Sequence, residues 1–206
     1  MSMISFAKYV AAGNDFIVCE QLPLNIALLC DRRQGIGADG LIWLQNDRIY
    51  FFNQDGSRAS CCGNGLRVAA MHTKKTLLHT DLGTHFIEFF DEGCRVSYPD
   101  PRDFHQVDLV EDPFVIHHEP QLINRNYVKV IASDHVLMKT IERGVGETPS
   151  CGSGAISTLL TLLEQNKISH KIKAQFTSGE QLSVEHVMGK TWLQGAVRHV
   201  FHGCLP

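Results

Sequence analysis

Two stretches of this chain match position for position, "CCGNGLRV" at 61–68 and "SCGSGAIS" at 150–157. Cys62-Gly63-Asn64-Gly65 corresponds to Cys151-Gly152-Ser153-Gly154 at an offset of 89 residues, and a run that reads as a helix follows each. Nine residues before each cysteine stands a polar residue that ends a strand-like run, Asn53 after "RIYFF" and Glu142 after "LMKTI". A glycine-bearing turn comes next in both places, "QDGSRAS" in one half and "RGVGETPS" in the other. A repeat of this kind decides the architecture before any single element does. The chain is predicted to be two related halves, each presenting a thiol at the mouth of a helix.

The pattern around the repeat is mainly strand. "MISFAKYV", "DFIVCE", "LIWLQ", "RIYFFN", "HFIEFFDE" and "CRVSYP" are β-branched and aromatic runs bounded by Asn, Asp, Gly and Pro. After the Pro/Asp-rich "YPDPRDF" (98–104), a linker by composition, "NYVKVIA", "VLMKTIE", "KIKAQFT", "LSVEHV" and "TWLQGAV" read the same way. Two helices stand out, one starting near Gly63 and one at "SGAISTLLTLLEQNK" (153–167); a short third, "PLNIALLCDRR" (23–33), precedes "QGIGADG". Along 153–167, Ala155, Ile156, Leu159, Leu160, Leu162 and Leu163 cover most of the circumference. A helix that is apolar nearly all round is buried. A central helix wrapped by strands is the simplest arrangement.

Several function classes are set aside by composition. A net charge of −3 without a basic face gives no reason to expect nucleic acid. No apolar run approaches the ~20 residues that span a bilayer, so no membrane partner is expected. The N-terminal "MSMISFAKYVAAGNDF" has the alternation of a first strand and not the layout of a signal peptide. The seven cysteines are an odd number with no C-x-x-C spacing, so neither a disulfide scaffold nor a structural zinc site is expected, despite eleven histidines. The expectation is a cytoplasmic protein with reduced thiols and no metal.

A cysteine at a helix N-terminus has a specific chemistry. The first N–H groups of a helix lack intrahelical partners, and the macrodipole adds partial positive charge there. The thiol's pKa is lowered by that setting, and the same N–H groups bind carboxylate or phosphate. Two such termini sharing one pocket would hold an anionic small molecule between two sulfurs. A thiolate on one face of a carbon and a thiol on the other could then invert a stereocentre without a cofactor. Against this stands the bland reading that both cysteines are buried small apolar residues. Cys61 to Arg67 also fits the Cys-x5-Arg loop of tyrosine phosphatases, in which a thiolate attacks phosphorus. Ser60 and Val68 depart from that motif, however, and the second copy lacks the Arg. "GIGADG" (35–40) satisfies G-x-G-x-x-G, but a helix-like run precedes it and a strand follows, the reverse of a dinucleotide site.

The stretches "FAKYVAAGNDF", "CDRRQGIGADGLI", "FFNQDGSRASCCGNGLR" and "ERGVGETPSCGSGA", with the "LQGAVRHVFHG" ending, resemble the diaminopimelate epimerase family. The resemblance covers both halves. It implies an α+β fold of two pseudo-symmetric domains, each a β-sheet wrapped around a central helix, with the active site in the cleft between them. The domains would be residues 1–98 plus 195–206, and residues 99–194. It implies the conversion of LL-diaminopimelate to its meso form with no cofactor, Cys62 and Cys151 being the acid/base pair. Asn14, Asn53, Glu142 and Arg143 would hold the distal amino-carboxylate end of the substrate, and counting back from "ERG" nominates Asn124. Gly63-Asn64 and Gly152-Ser153 would bind the α-carboxylate through backbone N–H groups. The partner is a small molecule; oligomeric state stays open, a homodimer included. This chain departs from the family in being shorter in its second half. Where the family's Asn-Pro-His segment belongs, with a His that helps keep a thiol deprotonated, "EDPFVIHH" (111–118) offers Phe114; His105, His117 and His118 are the substitutes at hand. Ala11 stands where the family usually has Gly. Two alternatives are a broader racemase acting also on glutamate and a non-catalytic amino-acid-binding relative.

Overall fold

The computed structural model describes residues 3–90, 93–117 and 122–205. Two compact units divide the chain, Met1–Val96 with Ala196–Pro206, and Ser97–Gly195. The first holds β1 (Ile4–Ala11), β2 (Asn14–Cys19), α1 (Ile26–Cys30), β3 (Gly40–Gln45), β4 (Arg48–Asn53), β5 (Arg58–Ala59), α2 (Gly63–Thr73), β6 (Leu77–Thr80) and β7 (Gly83–Phe90). β8 (Gly93–Tyr98) ends it. The second unit holds β9 (His105–Leu109), β10 (Asn124–Ala132), β11 (His135–Glu142), β12 (Gly146–Thr148), α3 (Gly152–Glu164), β13 (Lys171–Phe176), β14 (Gln181–Val187) and β15 (Lys190–Gly195). β16 (Val197–Leu205) returns to the first unit, antiparallel to β1.

The pairings of the two units match strand for strand. In the first unit β2–β3 is parallel, β3–β4 and β4–β5 antiparallel, β4–β6 parallel, and β6–β7 and β7–β8 antiparallel. In the second, β9–β10 is parallel, β10–β11 and β11–β12 antiparallel, β11–β13 parallel, and β13–β14 and β14–β15 antiparallel. Each parallel step across a Cys-Gly motif needs a crossover, and α2 and α3 supply it. The first unit adds β1 and β16 to this common frame.

Each helix lies on the inside of its own sheet. α2 packs on β1, β2, β3 and β16, with Leu66, Val68, Ala69 and Ala70 buried. α3 packs on β9, β10, β13, β14 and β15, with Ile156, Leu159, Leu160 and Leu162 buried. The all-round apolar composition of α3 is thus matched by strands on most of its circumference. Removing such a side chain leaves a cavity, so Ile156→Ala would cost about 2–5 kcal/mol.

The two-domain wrapped-sheet α+β fold is as expected, and three details differ. The helix expected over 23–33 is confined to Ile26–Cys30, because the Asp31 carboxylate turns away to accept the Arg33 and Gln34 N–H groups at 2.8 and 2.7 Å. β6 and β9 are strands that the sequence pattern did not single out, as are β5 and β12 within the stretches read as turns, and β16 forms from the "RHVFHG" ending. No helix among the described residues is long and apolar enough to cross a membrane.

Candidate active site

Each repeated cysteine is the N-cap of its helix. Cys62 has extended backbone (φ −138°, ψ 118°), and its Sγ accepts the Gly65 N–H at 3.4 Å. Cys151 repeats this at φ −132° and ψ 110°, its Sγ accepting the Gly154 N–H at 3.4 Å. Sulfur here takes the place of the Ser or Asp oxygen usual at a cap. Glycine is required at both donors because a neighbour fills the Cβ position: a Cβ on Gly65 would lie 2.8 Å from Phe51 Cε1, and one on Gly154 2.2 Å from Asn126 Oδ1.

The approach to each cap is also repeated. Phe51 pairs with Ala59 and Phe52 with Arg58. In the second unit Thr140 pairs with Thr148 and Ile141 with Glu147, the same register shifted by the repeat. At the turn, the Gly56 N–H donates to Asn53 O at 2.9 Å and the Val145 N–H to Glu142 O at 3.2 Å. Asn53 and Glu142 are therefore the last residues of equivalent strands.

Around Cys62, the Asn64 amide links the helix to the first strands. Its Nδ2 donates to Asn14 Oδ1 at 2.7 Å, and Asn14 Nδ2 donates to Asp39 Oδ2 at 3.2 Å. The Asn64 oxygen accepts the buried Arg67 guanidinium at 2.9 Å. Asn53 Nδ2 donates to Ser57 Oγ at 2.9 Å, within its own turn. The loop "GIGADG" supplies Asp39 to this network and not a phosphate cradle, in keeping with its helix-before, strand-after order.

Around Cys151 a line of polar groups runs inward. Cys151 Sγ and Ser153 Oγ are 3.3 Å apart, and Ser153 Oγ lies 2.9 Å from His105 Nε2. His105 Nδ1 faces Asn126 Nδ2 at 3.2 Å, while Asn126 Oδ1 accepts the Thr140 hydroxyl at 2.9 Å. This network assigns the ring proton to Nε2, which donates to Ser153 Oγ and leaves the Ser153 hydroxyl to donate to Cys151 Sγ. Burial pushes the His105 pKa down to about 4, so the ring is neutral at pH 7. Of the substitutes for the Asn-Pro-His histidine among the described residues, His105 is linked to a thiol, through Ser153. Phe114 and His117 are exposed, and His118 lies outside the described residues.

Cys151 itself departs from the expectation for a helix cap. Burial pushes its thiol well above the ordinary cysteine value, and the charge of Glu142 adds to this. The Ser153 and Gly154 hydrogen bonds pull the other way and are outweighed. Glu142 thus bears on the thiol as well as ending its strand, and its Oε1 accepts the Thr148 hydroxyl at 3.0 Å. Asn124 Oδ1 accepts the Arg143 N–H at 2.9 Å, and Asn124 Nδ2 stands 3.5 Å from His105 Nε2. The Arg143 side chain is exposed to solvent. Gly63-Asn64 and Gly152-Ser153 form the first turns, where N–H groups have no acceptor within the helix.

The structure joins Asn14, Asn64 and Gly63 around Cys62, and Asn124, Glu142, Arg143, Gly152 and Ser153 around Cys151. The Asn53 amide bonds within its own turn. Sequence reasoning passed over Asp39, Asn126 and Thr148, and weighed Arg67 only as the arginine of a phosphatase loop. One signal was present: in "NRN" (124–126) strand alternation puts Asn124 and Asn126 on one face. Among the described residues no group of three or more His, Cys, Asp or Glu is placed to hold a metal.

A family model described as diaminopimelate epimerase matches residues 6–98. A diaminopimelate epimerase of a Nitratiruptor species is 30 % identical over 242 aligned positions, covering 96 % of this chain and 97 % of the relative. Among solved structures, a putative phenazine biosynthesis PhzC/PhzF protein from Clostridium difficile (strain 630) superimposes with a TM-score of 0.75 at 11 % identity, covering 98 % of this chain and 99 % of the other. A hydroxyproline epimerase from Agrobacterium vitis, with trans-4-hydroxy-L-proline bound, gives a TM-score of 0.68 at 10 % identity, with 100 % and 91 % covered. These two share the fold. The matched thiols, the repeated ladder and the near full-length relationship at 30 % identity lead to one conclusion: the chain belongs to the diaminopimelate epimerase family.

Proposed function

We propose that this enzyme is a cofactor-independent epimerase that inverts one α-carbon of LL-diaminopimelate to give the meso form. The observation that carries the reading is the pair of N-cap thiols, Cys62 and Cys151, set at the same point of two matching frames. One sulfur as thiolate takes the α-proton from one face of the carbon, and the other as thiol delivers a proton to the opposite face. No atom is gained or lost, and the enzyme ends with the two protonation states exchanged.

Removing an α-proton from an amino acid places negative charge on its carboxylate. The first-turn N–H groups of Gly63-Asn64 and Gly152-Ser153 suit that anion, as helix N-termini do generally, and they are positioned before the charge develops. Asn14, Asn53, Asn124, Glu142 and Arg143 are proposed to hold the distal amino-carboxylate end. Arg143 suits the distal carboxylate because guanidinium pairs with carboxylate in two parallel bonds. His105, donating through Ser153, steadies Cys151 when that residue carries the charge. A reducing compartment suits two thiols that must both stay reduced, and cytoplasmic residence is part of this reading.

Incubation with LL-diaminopimelate in deuterated buffer tests the proposal. The meso product should carry one solvent deuterium at the inverted α-carbon. Absence of α-deuterium after prolonged incubation with correctly folded protein would overturn it, and a parallel incubation with glutamate measures whether the substrate range is wider.

A further inference from the structure

The two frames carry different residues at one buried position. Arg67 lies on α2 and is wholly buried. Its guanidinium folds back on the first turn, donating to Gly63 O at 3.2 Å and to Asn64 Oδ1 at 2.9 Å. Among the described residues its Nε is buried without a partner, and the groups that act on its charge are the thiols of Cys94 and Cys62, with no carboxylate among them. At the equivalent point of α3, displaced by the repeat, stands Ile156, which is also wholly buried. A buried cation lacking a counter-ion is strongly destabilising. A thiolate at the helix cap would supply the missing anion on one side of the repeat alone.

We propose that Arg67 is a positioning residue of the reaction, its buried charge holding Cys62 as the resting thiolate while Cys151, backed by Ile156, rests as the thiol. A neighbouring arginine and a helix N-terminus both lower a cysteine's pKa. Cys151 is driven the opposite way by burial and by Glu142. Burial pushes Arg67 down to about 10, which still leaves it cationic at neutral pH.

Among the other charged and titratable groups on elements packed against α2, Arg198, His202 and Cys204 lie on β16, and burial, with Cys30 beside it, raises the thiol of Cys19 on β2. Lys8 of β1 pairs with Asp15 of β2, which also pairs with Arg32. Tyr9 of β1 meets His72 in the last turn of α2, and His199 of β16 acts on that same histidine. β3 contributes no ionisable side chain. Cys94 of β8 is itself pushed up to about 11 by burial, so it stays protonated beside Arg67 at neutral pH.

This inference deepens the two-thiol reading, and its test needs no substrate. Alkylation by iodoacetamide is followed against pH, with each site identified by peptide fragmentation, which separates Cys62 from Cys61. The midpoint of the profile is read, because it reports ionisation while the absolute rate also reports access. In the unaltered protein the Cys62 midpoint should fall well below that of Cys151. Arg67→Met should raise the Cys62 midpoint by one pH unit or more, a slowing of about tenfold at pH values below both midpoints, and leave Cys151 in place; Arg67→Lys should restore it. A Cys62 midpoint at or above that of Cys151, or one unmoved in folded Arg67→Met, would overturn the proposal. If Arg67→Met does not fold, the comparison within the unaltered protein decides. Failure of deuterium uptake would count against the epimerase reading and leave this measurement standing.

Discussion

His105 on β9 and Ser153 in the first turn of α3 are joined at 2.9 Å across 48 positions of sequence. The bond holds a neutral imidazole against the hydroxyl that faces Cys151. With its pKa pushed from 6.5 to about 4, the folded ring binds a proton later than the unfolded one. Its contribution to stability is therefore full above pH 6.5 and falls as pH drops from 6.5 towards 4. One pKa unit is worth about 1.4 kcal/mol, so the loss over that window reaches about 3 kcal/mol. Denaturant titrations at pH 7.5 and 5 should show this slope, and His105→Gln should flatten it. An unchanged slope in the variant would place the acid sensitivity elsewhere.

The proposed reaction needs one thiolate and one thiol, so kcat/KM should be bell-shaped in pH. With burial and Glu142 raising Cys151, the alkaline limb should come late, above the range of an ordinary cysteine. A rate that rises without limit through alkaline pH would contradict a two-thiol mechanism.

Cys62→Ala and Cys151→Ala should each lower kcat/KM by about 10²–10⁴-fold, the usual worth of a positioned acid or base. In a ligand complex each sulfur should approach the reacting carbon to ~3–3.5 Å, which puts the two roughly 6–7 Å apart. A crystal structure with a substrate analogue measures this, and sulfurs that face different cavities would end the proposal.

Gly154→Ala should damage the second cap while keeping both cysteines, its Cβ falling 3.3 Å from Cys151 Cβ. Its Cβ would fall 2.2 Å from Asn126 Oδ1, which now accepts from Thr140. Displacing Asn126 also releases His105 Nδ1. Forced overpacking of this kind costs about 1–3 kcal/mol, and activity should fall with it. A variant as stable and active as the parent would show that Asn126 has room to move.

Much of this was legible in the chain itself, because the repeat marks both caps and the strands that lead to them. Asn53 and Glu142 were placed at strand ends by spacing alone, and the ladders put them there. Other parts were hidden for physical reasons. β9 is short and opens beside a Pro/Asp-rich run, so its pattern did not announce a strand, and His105 stood only as one of three histidines that could serve the second site. Asp39 acts through a loop and Asn126 through a buried amide; neither type of contact leaves a periodic trace. Arg67 was weighed only as the arginine of a phosphate loop, and it lies wholly inside. The thiol of Cys151 was expected to be lowered by its helix, but burial, which depends on the whole second unit, decides the sign.

The paired ladders at Phe51–Ala59 and Thr140–Thr148 also bear on how such a chain can drift. They fix the thiol from the strand and not from the turn, since the cross-strand pairs lie between the turn tip and the cap. Insertions or deletions at the tips, 54–57 and 143–145, are taken up by turn backbone and leave the sulfur where it was. A single residue added between Ala59 and Cys62, or between Thr148 and Cys151, lies past the last ladder pair and would carry the cap off its station. Length variation in this chain's descendants is thereby channelled to the tips.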